Sequence, residues 1–167
     1  MGTLNLGTGV TLSGSGSTLS LTGSLGVSGN VTKSAQPAFM VRQSTAISGF
    51  SANAIASWNV VILNRGNHFK TDAGTGQNQR FIAPVTGVYH FNCMILSNEN
   101  TRLFFHFRVN GSSIPGTYVE TYTATSYQTG TSTMTYSLSA NDYVEVFLTN
   151  NNAYGGLYAN FNGYFLG

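Results

Sequence analysis

Phe81-Ile82-Ala83-Pro84-Val85-Thr86-Gly87-Val88-Tyr89-His90-Phe91 closes one β-strand, turns on Pro84 and Gly87, and opens another whose aromatic residues alternate. Side chains two apart on a strand point the same way, so Tyr89 and Phe91 share one face. Gly87 reads as the residue that lets the backbone leave the Pro84 turn without a clash. Cys93 and Ile95 continue the same face, which makes Cys93 a buried structural thiol. As the single cysteine of the chain it forms no intrachain disulfide.

Outward from this stretch the chain is all-β from Pro37 onward. Strand-like runs, separated by breakers, fall at 38–42, 60–63, 79–82, 88–96, 103–109, 133–138, 143–149 and 157–166. Only 46–56 resembles a helix, and its Gly and Ser content opposes that reading. Many short strands with polar turns point to a sandwich or jelly roll. Val144, Val146 and Leu148 face one side while Tyr143, Glu145 and Thr149 face the other, the pattern of a half-buried strand. Around Phe104 and His106 both strand faces are apolar, which predicts burial once in the subunit core and once against neighbouring copies.

Composition narrows the class. The chain has 167 residues, enough for a domain with a core of its own, but only 7% are charged, against ~25% in an ordinary soluble domain. No apolar run approaches the roughly 20 residues that span a bilayer, so membrane insertion is not expected. Polarity comes from Ser, Thr, Asn and Gly, an uncharged but hydrated surface suited to a fibre or coat. The net charge is +2 with the seven basic residues scattered, which argues against nucleic acid as a partner. The N-terminus lacks the basic-then-apolar pattern of a secretory signal.

Residues 1–36 differ from the rest. The first 32 contain no aromatic and no charged residue, and eight are Gly. Apolar residues come in spaced pairs, Leu4/Leu6, Val10/Leu12, Leu19/Leu21 and Leu25/Val27, divided by Gly/Ser/Thr turns. Such repeats cannot bury a core alone. Two readings stand: a flexible linker, or a β-structured shaft in which copies of the chain wind together. The regular Leu and Val placement favours the shaft. Collagen is excluded, because the glycines do not fall at every third position.

Residues 37–167 resemble the C1q-like globular head, a member of the wider C1q/TNF-like jelly-roll class. Pro37-Ala38-Phe39 is similar to the family's opening strand. Trp58, Asn64 and Phe69 fall at its spacing of aromatic, Asn or Asp, and aromatic, and Phe81, Gly87, Tyr89 and Phe91 complete the signature. The run from Tyr136 through Asp142 to Val146 resembles the family's late hairpin, and Phe161-Asn162-Gly163-Tyr164-Phe165-Leu166 its closing strand. There are two departures. The eleven residues between Phe69 and Phe81 make a longer loop than usual, and Cys93 stands where an aromatic is common.

The resemblance implies a ten-stranded jelly-roll sandwich at 37–167 that assembles as a homotrimer on a fibrous stalk, here 1–36. Tyr89, Phe91, Phe104, His106 and Phe165 are the candidates for core and trimer interface. A Gly/Ser/Thr-rich stalk with an uncharged head is similar to a virion fibre, with phage tail fibres first. Other virion proteins would then be partners through the stalk, and the location would be the virion surface or otherwise a bacterial or extracellular one.

In the family both termini lie at the base, which places the loops 97–101, 120–130 and 150–156 at the tip. Their Tyr, Asn, Ser and Gly content suits a contact surface, rings giving rigid area and amides adaptable hydrogen bonds. Tyr122, Tyr127, Asn150, Asn151, Asn152 and Tyr154 are the candidate contacts to a host-surface glycan or protein; solvated turns are the alternative. No catalytic motif is present, and Asp142 reads as a turn residue. His68, His90 and His106 lack metal-ligand spacing, so no metal or cofactor is expected, with only a Ca²⁺ held partly by backbone oxygens left open. A capsid decoration protein and a secreted C1q-like ligand are the competing functions.

Overall fold

The computed structural model describes residues 36–44, 50–71, 79–98, 101–122, 126–150 and 153–167, the side chains of 155 and 156 apart. The expected stalk lies outside these residues except for Gln36, as do Asn151 and Asn152. All the regular structure among these described residues is β: β1 Ala38–Arg42, β2 Ala54–Ile55, β3 Val60–Arg65, β4 Phe69–Lys70, β5 Arg80–Ile82, β6 Gly87–Ser97, β7 Arg102–Val109, β8 Ser112–Ser113, β9 Val119–Tyr122, β10 Thr129–Leu138, β11 Tyr143–Leu148 and β12 Ala153–Phe165.

Two antiparallel sheets face each other, one ordered β10-β6-β12-β1-β3 and the other β4-β5-β11-β7-β8. On the second sheet, β2 and β5 both pair along the edge of β11 that β7 leaves open, and β8 and β9 both pair along the far edge of β7. Twelve segments therefore fill ten strand positions, five to a sheet. The expected sandwich is present, and the short segments are lanes that break and resume.

The core explains the aromatic spacing. Phe39, Trp58, Phe69, Phe81, Tyr89, Phe91 and Phe161 are all buried. Phe39 stacks on Phe69 and Phe81 at 5.0 and 5.1 Å and meets Phe161 edge-on at 4.8 Å. Phe39, Phe69, Phe81 and Phe161 come from four different strands, so the rings fix which strands come together. Asn64 contributes differently. Its Oδ1 accepts from the Phe69 amide at 3.0 Å and its Nδ2 donates to the Phe69 carbonyl at 2.9 Å, closing the β3–β4 turn through Gly66 and Asn67, both at positive φ. The long loop before β5 is pinched at its neck, where the Gln79 amide donates to the Lys70 carbonyl at 2.6 Å; residues 72–78 lie outside the described set.

Gly87 keeps the conformational role expected of it, with φ at +158°, and its position forbids a side chain as well: a Cβ there would lie 2.5 Å from the Phe165 ring and 2.7 Å from the Gly167 carbonyl oxygen. Several expectations need correction. Glu145 does not face solvent. It is 2% exposed, with Arg80 at 3.2 Å and Arg108 at 3.7 Å. His106 is 5% exposed within the single chain, because Tyr118 stacks on it at 4.3 Å and Phe147 flanks it at 5.5 Å. Tyr118 and Phe147 thus cover it within its own chain. Tyr89 and Phe91 belong to the subunit core, Phe165 packs on Tyr89 at 5.0 Å, and Phe104 keeps a partly open outer face. Cys93 is fully buried, and burial pushes its thiol well above the usual range.

Candidate functional site

The two ends of the sandwich differ in chemistry. At one end the described chain begins and finishes: Gln36 donates to the Phe165 carbonyl, the Phe165 amide to that of Pro37 at 3.0 Å, and the Val88 amide to that of Gly167 at 2.8 Å. Compact, cross-braced turns complete this end. Asn110-Gly111, both at positive φ, make the two-residue turn between β7 and β8. Asp142 accepts from Asn110 Nδ2 and from the Ser139 amide, both at 2.8 Å, which makes it the turn residue its sequence position suggested.

The opposite end gathers the finish of β6 and β9 and the start of β7, β10 and β12. Ser97 joins two of them, its amide donating to the Gln128 carbonyl at 2.7 Å and its Oγ accepting from the Gln128 amide at 3.1 Å. Asn150 holds a third. Its Oδ1 accepts from the Phe104 amide at 3.1 Å, and its Nδ2 donates to the Arg102 carbonyl. The amide of Asn150 is thus engaged in fastening β11 to β7, a strut beneath the surface. Arg102 and Glu120 form an ion pair at 2.6 Å on the rim, and the neighbouring carboxylate raises the guanidinium pKa.

Tyr127 and Tyr154 come together here, their rings 5.1 Å apart and 73° inclined. Tyr158, which the sequence did not single out, meets Tyr154 at 5.4 Å and 62°. It arrives through an irregularity in β12. Tyr154 pairs with Leu96 and Ala159 with Ile95, so 155–158 bulge from the ladder between adjacent partners. The bulge carries Leu157, 77% exposed, and half-exposed Tyr158. The Gly155-Gly156 pair was the available signal, since glycines inside a strand mark bulges. Tyr122 stands apart on β9 of the other sheet, 71% exposed and in no ring contact among the described residues.

A second assembly covers the outer face of β7 and β11. From Phe104 it runs through Tyr118, His106 and Phe147 to Arg108, whose guanidinium lies 4.6 Å from the Phe147 ring, then through Glu145 to Arg80, which sits 4.0 Å over Tyr143. Burial lowers the His106 pKa, and the Arg108 charge lowers it further. Burial raises that of Glu145, with Arg80 and Arg108 opposing. Among the described residues no cluster of three or more His, Cys, Asp or Glu is placed to hold a metal ion, and no helix is long and apolar enough to cross a membrane.

The C1q domain profile matches residues 38–166. The chain belongs to the C1q domain family. Solved structures share its fold at low identity. The globular domain of zebrafish complement 1qA superposes with a TM-score of 0.63 at 18% identity, covering 78% of this chain and 98% of that one. Murine APRIL gives 0.59 at 14%, covering 78% and 99%, and Eiger TNF from S. frugiperda 0.57 at 12%, covering 79% and 93%. No curated protein sequence matches significantly. These likenesses embrace the C1q domain and its two-sheet framework, the part carrying the aromatic signature.

Proposed function

We propose that the chain is the trimeric head of a virion surface fibre, and that its loop-bearing end adheres to a glycan or protein on the host surface. One observation carries the adhesive part. Tyrosines from separate segments, exposed Tyr122 and Tyr127 and half-buried Tyr154, occupy the end opposite Gln36 and Gly167, where the described chain begins and finishes. Exposed rings on short, braced segments give contact area at low entropic cost. Residues 1–36 are the segment through which other virion proteins hold the fibre.

The trimer is supported by the family and by the surface of the first sheet. Its edge strand β3 exposes Val61, Ile62 and Leu63 in succession, and Tyr164 and Tyr136 stand on the same sheet. An apolar unpaired edge is a liability unless covered. A second reading, a secreted C1q-like ligand, is favoured by the likeness to the zebrafish complement domain.

The test is adhesion of the full chain to host cells, with the triple variant Tyr122→Ser, Tyr127→Ser, Tyr154→Ser beside it. The variant is expected to keep its assembly mass and lose adhesion at least tenfold. Unchanged adhesion would overturn the assignment of the binding end.

A further inference from the structure

Leu96, Tyr127, Tyr154 and Tyr158 line an open cleft of about 170 Å³ at the loop-bearing end. The steep inclination of Tyr154 to both neighbours means that the cleft presents ring faces as well as ring edges. None of the four lining side chains carries a charge. Leu157, beside Tyr158 on the same bulge, stays in water although it is among the most apolar side chains of this end.

We propose that this cleft is a subsite for one neutral pyranose ring of a surface glycan. The inference rests on the adhesive reading above and adds the ligand class, the cleft and Tyr158. The apolar face of a pyranose carries C–H bonds of slight positive charge, and the face of an aromatic ring is negative, so the two attract when stacked. Phenolic hydroxyls both donate and accept, which suits the ring hydroxyls of a sugar. A carboxylated sugar calls for a guanidinium or ammonium group in the lining, and there is none among the described lining residues. The size also fits a single ring, lying below the roughly 300–1,000 Å³ of clefts that enclose drug-sized ligands. A protein partner needs about 1,200–2,000 Å² of buried surface, for which this cleft supplies one small part.

Saturation-transfer NMR on the full chain tests this. The probes are the methyl glycosides of glucose, galactose, mannose and N-acetylglucosamine, with N-acetylneuraminic acid as the charged control. Saturation is expected to reach the ring protons of at least one neutral glycoside. The dissociation constant should rise at least tenfold in Tyr127→Ala and Tyr158→Ala and stay within about threefold in Tyr158→Phe, which keeps the ring. Both positions are about half exposed, so unchanged thermal midpoints are expected and check the fold. Silence from every neutral glycoside, or transfer to N-acetylneuraminic acid alone, overturns the subsite. If wild-type adhesion to cells persists despite that silence, the adhesive reading survives and points to a protein partner. If a glycoside binds in the cleft and the chain adheres to no host cell, the subsite stands and the adhesive reading falls.

Discussion

Asn64 and Gly163 show how single positions hold this fold. Asn64 spends both polar atoms of its amide on the backbone of Phe69, so the turn is fastened where an aromatic ring enters the core. Asn64→Ala removes both bonds and should destabilise by about 1–3 kcal/mol, read from the denaturant midpoint. Gly163 lies where two rings and a strand meet. A Cβ there would stand 2.5 Å from Phe91, 2.8 Å from Phe39 and 2.9 Å from the His90 carbonyl oxygen. Gly163→Ala is therefore expected to cost about 1–3 kcal/mol or more, since a packed core cannot give way to an added methyl. A stability within about 0.5 kcal/mol of wild type would show that the rings yield freely.

At the scale of elements, β7 and β11 share a polar and aromatic outer face whose stability depends on pH. His106 is faced by Tyr118, by Arg108 on its own strand, by Phe147 from β11 and by Ser113 from β8 at 2.9 Å; Glu145 lies further along, against Arg80 and Arg108. Because the folded pKa of His106 lies below the ordinary 6.5 of an imidazole, the unfolded chain takes up its proton first. The contribution of His106 is present above pH 6.5 and is lost as pH falls through the folded value. Glu145 runs the other way: its raised pKa makes its contribution fullest below 4.5 and smaller as pH rises through the folded value. His106→Gln keeps a polar contact to Ser113 and cannot titrate, so it should lose less stability than wild type between pH 7 and pH 5. Parallel melting curves for the two proteins would contradict this.

The same elements show what was legible in the chain. The alternation of Tyr89, Phe91, Cys93 and Ile95 was readable because one face of β6 meets the core along its whole length. The Arg80–Glu145–Arg108 contact was not, since it depends on which strands flank β11. Tyr158 was hidden for a local reason: its place is set by a bulge that breaks the period of two on which strand reading relies. Asn150 was visible as a loop residue, but its role as a strut depends on the backbone of β7, far away in sequence.

At the scale of the whole molecule, a C1q domain exposes at one end the tyrosines that we assign to adhesion and at the other the place where its described chain begins and ends. Everything proposed for its function presupposes that the head works as three copies. An obligate assembly of this kind buries roughly 2,000 Å² or more at its interfaces, and burial of that order leaves little stable monomer. Light scattering of the full chain at micromolar concentration tests this most directly. A mass of three 17.8 kDa chains that persists on dilution is expected, and a mass of one chain would contradict the trimer.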